Sequence, residues 1–215
     1  MQRLKTPGWF VDWSGETVVI IASGPSAAGV DLEPARGRAK FIAINSSYRL
    51  CPWADVLYGC DAKWWIAENG APGFAGIKVA GEKRAAEQYH DVHHAEVRAH
   101  NDRFLFDPLG TIGSGGNSGF QTINLGLQFG ARKFILVGYD MQIDSGLHWH
   151  GAHGKNLNNP TPVNVARWRR VLDGVAGELK ALGAEVYNAS AVSALTEYPK
   201  ISFSEAVQKC CNTSG

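Results

Sequence analysis

The stretch Gly113–Asp140, GSGGNSGFQTINLGLQFGARKFILVGYD, constrains this chain more than any other. It opens on Gly113, Gly115, Gly116 and Gly119, interleaved with Ser114, Asn117 and Ser118. A helix of about a dozen residues is expected next, with Phe120, Ile123, Asn124 and Leu127 on one face. Gly130 is placed to end that helix in the left-handed conformation, which costs glycine little. Lys133–Val137, KFILV, is a short apolar run bounded by turn signals, as a strand buried on both faces requires. It exits at Gly138-Tyr139-Asp140. A glycine-rich loop feeding a helix leaves backbone N–H groups unpaired beside the positive end of the helix dipole. That combination attracts an anion such as phosphate. The same loop also serves as a tight turn that packs a helix against a sheet.

The flanking sequence has the same grammar. Thr17–Ala22, Lys40–Ile44, Ala54–Tyr58, Ile77–Ala80 and Ala184–Asn188 read as strands, with Lys133–Val137 the long central one. Residues 62–68 read as a helix. So does Pro162–Leu182, where Trp168, Val171, Leu172, Val175, Leu179 and Leu182 form a single buried stripe. Thr161 is its cap, Pro162 sits in its first turn, and Gly183 ends it. Strands alternating with helices imply an α/β, Rossmann-like, mostly parallel sheet with helices on both faces. Residues 1–209 are expected to form one nucleotide-binding domain, with 82–112 a lid or helical insert and 210–215 a frayed tail. Three of the strands end in small polar groups, at Ser23-Gly24-Pro25-Ser26, at Asn45-Ser46-Ser47 and at Gly138-Tyr139-Asp140. C-terminal strand ends line the ligand crevice of an open α/β sheet, so these groups suggest a nucleotide pocket built without Lys or Arg. No GxGxxG fingerprint is present, which removes support for NAD.

Charge excludes other classes. With 21 basic and 20 acidic residues the net charge is +1, which is no footprint for stable nucleic-acid binding. No apolar run reaches the ~18 residues of a membrane span, and the first residues do not read as a signal peptide. Cys51, Cys60, Cys210 and Cys211 have no paired spacing, so reduced thiols and a cytoplasmic setting are expected. Of the seven tryptophans, the Trp64-Trp65 pair reads as core packing or as the wall of a ligand pocket.

Leu147–Asn156, LHWHGAHGKN, follows the strand that ends at Asp140 and should overhang the same crevice. His153 is the candidate general base, since imidazole titrates near operating pH. Alternatively, two of His148, His150 and His153 ligate zinc or manganese with Asp140 or Asp144, although the spacing matches no standard zinc motif. A hydrated loop is the third reading. His90, His93, His94 and His100 read as a solvated helix face.

The blocks IIASGPSA, AINSSYR, GNSGFQTINLGLQFGARKFILVGYDM and HGAHGKN, then a helix and EVYNAS, stand in the order found in glycosyltransferase family 42. The chain thus resembles these bacterial sialyltransferases, which use CMP-sialic acid. It is also similar to the wider Rossmann-like group containing the archaeal-type 6-hydroxymethylpterin diphosphokinases. The outline spans residues 15–200, although the specific matches amount to only about 30 residues. The resemblance implies a Rossmann-type GT-A variant fold, inversion at the anomeric carbon and no metal in the chemistry. It implies that Gly24, Pro25 and Ser26 form the nucleotide-phosphate turn and that Asn45 contacts the donor. Ser118 and Gly119, beside Asn117, match the helix start next to the donor. Gly138 and Asp140 close the strand near the ribose or base, and His153 matches the catalytic base. Three departures accompany the match: Ser23 replaces an asparagine, Gly59-Cys60-Asp61 replaces a donor-binding asparagine region, and Gln142 replaces a tyrosine that assists the departing phosphate.

The expected activity is therefore nucleotide-dependent transfer, first of all by an inverting glycosyltransferase with a CMP-type donor. In it His153 is the base, Asp140 orients the ribose or that histidine, and Gln142 contacts the leaving group. Ser23 and Asp61 are counted with the donor-binding residues. The alternatives are a Mg²⁺-dependent diphosphokinase acting on a small hydroxymethyl substrate, with Asp140 and Asp144 on the metal, and a non-catalytic nucleotide-binding module. The partners expected are a nucleotide or nucleotide sugar and a hydroxyl-bearing acceptor, with self-association left open.

Overall fold

The structure, a computed structural model, describes residues 6–154 and 157–211. Runs of β-branched and apolar residues set its frame. β1 (Thr17–Ile21) is buried at all five positions. β2 (Lys40–Ile44) and β3 (Val56–Gly59) lie beside it, and α1 (Ala62–Ala67), β4 (Ile77–Ala80), α2 (Lys83–Gln88) and β5 (Val92–His94) follow. β6 (Glu96–Arg98) and β7 (Thr111–Gly113) pair with each other in a small separate sheet. Then come α3 (Ser118–Gln128), β8 (Lys133–Val137), α4 (Pro162–Gly174), α5 (Ala176–Ala181), β9 (Glu185–Asn188) and α6 (Phe203–Cys211).

The main sheet runs β5-β4-β3-β2-β1-β8-β9, and every neighbouring pair is parallel. This is the expected Rossmann-like α/β architecture. Side chains alternate along each strand, so one strand feeds two cores. Val18 and Ile20 point to a cluster with Phe120, Ile123, Leu172 and Leu179. Val19 and Ile21 point to a second cluster with Trp65, Ala85, Phe203 and Val207. β1 has β2 on one side and β8 on the other. The strand order therefore reverses at β1, and such a reversal opens a crevice at the C-terminal strand ends.

Several expectations change in detail. β8 is not the central strand; it lies between β1 and β9, one place from the edge, and is no longer than β1 or β2. The helix expected over 162–182 is two helices meeting at Val175, although its buried stripe and its Thr161 cap hold. Residues 82–112 are not a purely helical insert: β5 extends the main sheet with α2 packed against it, and β6 and β7 form the small one. His93 and His94 lie on β5 rather than a helix, and His93 stacks on Trp9 with ring centroids 5.7 Å apart. Strands of three residues carry too little periodicity to be read from sequence. Nor does the chain fray at 210, because α6 continues through Cys211 and buries Cys210, whose carbonyl accepts the Thr17 hydroxyl at 2.8 Å. Residues 212–215 lie outside the described residues. The four cysteines are free thiols, and among the described residues no helix is long and apolar enough to cross a membrane.

Candidate functional site

A cleft of about 770 Å³ opens where β1, β2, β3, β4 and β8 end. Its base is the turn after β1. The Gly24 amide donates to the Gly138 carbonyl at 3.0 Å. A Cβ on Gly24 would lie 2.4 Å from that oxygen and 2.6 Å from the Asp140 carboxyl carbon, so no larger residue fits. Asp140 is buried, and its carboxylate accepts the Ser26 amide at 2.9 Å and the Ser26 hydroxyl. Ser23, Gly24, Gly138 and Asp140 line the cleft, whereas Pro25 and Ser26 do not. The donors of Ser26 are spent on Asp140, and they lock the β1 turn to the β8 exit. This corrects the expectation that Ser26 faces a phosphate directly. The carboxylate of Asp140 likewise engages Ser26 and makes no hydrogen bond to His153.

The other walls come from three strand ends and a helix start. Asn45 follows β2 with φ of 50°, in the left-handed region that asparagine enters at some cost. Its Oδ1 is buried and has no hydrogen-bond donor. Leaving such an acceptor unpaired costs about 1–3 kcal/mol, so strain and desolvation coincide at one cleft-lining residue. At α3, the Asn117 side chain caps the Phe120 amide at 2.9 Å. The amides of Ser118 and Gly119, the first two of the helix, have no partner from the helix itself and sit on the cleft wall. Arg167 of α4 braces the glycine loop by donating to the Gly115 carbonyl at 3.0 Å, and it pairs with Asp102 at 2.9 Å. After β3, Asp61 and Lys63 face the cleft. Desolvation and then Glu82 raise the Asp61 carboxyl, while Lys63 and His153 pull it down. Lys63 corrects the expectation of a pocket without lysine or arginine. Trp64 combines both roles considered for it, since it is buried in the core and touches the cleft.

The segment after β8 closes the open side. Trp149 anchors it twice, through its amide to the Ser23 carbonyl at 3.0 Å and through its indole to Ser47 Oγ at 3.2 Å. His148 Nδ1 lies 3.0 Å from Ser23 Oγ. The amide of His153 donates to Asn159 Oδ1 at 2.8 Å, and Asn159 Nδ2 returns a bond to the His153 carbonyl. His148, His150 and His153 stand together, with ring centroids 4.4–5.2 Å apart. Burial lowers all three imidazoles, His148 to about 4. For His153 the nearby Glu68 and Asp61 oppose that shift. The rings are thus neutral at physiological pH and carry lone pairs. Gln142 lines the cleft, but its carboxamide is engaged locally: Oε1 accepts the amides of Asp144 and Ser145, and Nε2 donates to Ser145 Oγ. Asp144 does not line the cleft, so it and Asp140 are not assembled as a metal pair. Lys155 and Asn156 of the HGKN segment lie outside the described residues.

Sequence reasoning missed Lys63, Glu82, Gln121, Asn159, Asn164 and Trp168 on the cleft wall. Glu82 was within reach, because it follows β4 as Asn45 follows β2. Gln121 was not: on α3 it donates to the Ser114 carbonyl and accepts the Tyr58 hydroxyl, contacts that only the packed fold creates.

No family model matches the chain, and a search of curated proteins finds no match. Solved structures do match. The sialyltransferase CstII from Campylobacter jejuni, in complex with the substrate analogue cytidine-5'-monophosphate, aligns over 94% of this chain and 88% of its own at 12% identity, with a TM-score of 0.60. A sialyltransferase CST-II in complex with trisaccharide acceptor and CMP aligns over 90% of this chain and 98% of its own at 13% identity, with a TM-score of 0.56. At such identities the likeness establishes the shared fold.

Proposed function

We propose that this protein is a nucleotide-sugar-dependent glycosyltransferase of the family 42 type, inverting, with a CMP-type donor and His153 as general base. One observation carries the reading: an unpartnered amide oxygen at Asn45, the leading amides of α3 and a neutral imidazole at His153 converge on one cleft. Each suits a different part of such a donor and its acceptor. The α3 amides take the donor phosphate, with Lys63 adding charge. Asn45 Oδ1 accepts from an exocyclic amino group of the base or from a ribose hydroxyl.

The acceptor hydroxyl then enters from the side of the histidine segment. His153 takes its proton as the acceptor oxygen bonds to the anomeric carbon from the face opposite the phosphate. The bond from that carbon to the phosphate oxygen breaks, and the nucleotide leaves with the electron pair. Donors already aimed at the departing oxygen stabilise its charge without reorganising. Because the Gln142 carboxamide is held in its own turn, that task falls to the α3 amides and Lys63. Asp140 works through Ser26 and Gly24, fixing the β1 turn as a positioning residue. The transfer needs no divalent ion on this reading, and EDTA leaves the rate unchanged.

The deciding experiment is a thermal-shift screen over CMP, UMP, GMP, AMP and their sugar conjugates, since a bound ligand raises apparent stability. Release of free nucleotide from the best conjugate is then measured. Stabilisation by a cytidine conjugate with slow release is expected. Stabilisation by none of them removes the transferase reading. Tight binding without release over hours favours a binding module instead.

A further inference from the structure

The three histidines carry more chemistry than one base requires. Each offers a ring nitrogen, and these three atoms lie within 4.8 Å of one another. The Nε2 atoms of His148 and His150 are buried with no hydrogen-bond partner. An imidazole nitrogen shut off from water and protein alike is costly, and a ligand would relieve it. The other nitrogen of His148, Nδ1, lies 3.0 Å from Ser23 Oγ. Metal-bound histidines show that pattern: the outer N–H is held by an oxygen, which fixes the tautomer and presents the inner lone pair.

We propose that His148, His150 and His153 form a binding site for a borderline divalent transition metal of the zinc type, at the rim of the cleft. Three imidazoles suit zinc, which takes nitrogen ligands at about 2.0–2.1 Å in tetrahedral array. The ligand atoms must then close to about 3.3 Å, a change that side-chain torsions supply. The backbone on both sides is already fixed, by Trp149 on the β1 and β2 turns and by Asn159 on His153. A fourth position faces the cleft, because His148 and His153 line it. The carboxylates considered from the sequence, Asp140 and Asp144, take no part.

Metal binding does not rest on the transferase reading. One consequence does: a metal on the His153 ring nitrogen competes with the acceptor proton, so Zn²⁺ inhibits a transfer that EDTA leaves untouched.

The test uses the untagged full chain, stripped with a chelator and free of nucleotide. Zn²⁺ is titrated calorimetrically, and Co²⁺ is added separately as a spectroscopic probe. One equivalent per chain is expected, with the visible bands of tetrahedral cobalt. His150→Ala, which removes a ligand that does not line the cleft, should abolish both signals while the melting temperature of the stripped protein is retained. Ser23→Ala keeps all three ligands and should weaken the metal by roughly 10–100-fold through the lost outer partner. Loss of affinity in either variant supports the site. No stoichiometric binding by the wild type, or unchanged affinity in both variants, overturns it. The nucleotide screen above is unaffected by either result.

Discussion

Two hollows of similar size lie at opposite ends of the sheet and differ in how their polar groups are satisfied. The one near the N-terminal strand ends, about 670 Å³, is lined by Trp13, Trp53, Lys40, Asp55, Lys78 and Asp91 among others. Most of its named polar groups have partners inside the fold. Lys78 is buried and pairs with Asp91 at 2.7 Å, Asp55 accepts the Phe41 amide at 2.8 Å, and Arg36 covers the Trp53 ring. Among the buried side-chain atoms of the described residues that line it, the Trp53 indole N–H alone lacks an acceptor. The cleft at the C-terminal ends keeps Asn45 Oδ1 and His148 Nε2 unpaired, with His150 Nε2 just behind. Volume does not distinguish them. What separates a binding site from a gap in packing is polar capacity withheld from the protein's own hydrogen bonds.

That contrast can be broken at either end. The largest effect is expected from His153→Ala: turnover should fall by roughly 10²–10⁴-fold with donor affinity little changed. Equal loss of binding and turnover would make His153 a binding or structural residue. Next is Lys78→Ala at the opposite hollow, which leaves Asp91 without its partner and a void in place of the buried stem. A loss of about 1–3 kcal/mol in urea-melt stability is expected, with nucleotide affinity untouched. A drop in nucleotide affinity there would erase the distinction between the hollows.

Asn45→Gly sharpens the same point, because binding and stability should move in opposite directions. Glycine relieves the left-handed backbone and removes the unpaired oxygen, for a gain of about 1 kcal/mol in stability. It should cost about tenfold in nucleotide affinity, the worth of one hydrogen bond. A variant that loses both would place Asn45 among the fold's supports.

The last test concerns pH. His148 is lowered to about 4 in the folded protein, from an ordinary value of 6.5. The unfolded chain therefore binds the proton first. The stability linked to His148 is complete above pH 6.5 and is lost as pH falls from 6.5 toward about 4. Urea midpoints in EDTA for wild type and His148→Asn should converge across that window; parallel curves would mean that His148 is not held neutral.

Much of the fold was legible in the chain. Lys40–Ile44, Ile77–Ala80 and Lys133–Val137 are strands with the expected bounds, because apolar runs between turn residues admit few other structures. Gly130 takes the left-handed backbone expected of it, with φ of 95°. The short strands β5, β6 and β7 were not legible, since three residues fix no period. The ends of β1, β2 and β8 do line the cleft, yet the donors of Ser26 expected to serve a phosphate are taken up by the Asp140 carboxylate. A partner 114 positions away has no trace in local sequence.

The sequence by itself determined the alternation of strands and helices, the glycine start of α3 and the concentration of histidines after β8. Those follow from local backbone preference and apolar periodicity, which act over a few residues. Only the tertiary structure decided that β1 would sit between β2 and β8, and that Asn45 would be turned inward without a donor. It also decided that three imidazoles would share one corner with Ser23. These are matters of which distant groups are desolvated together, and desolvation is a property of the packed chain.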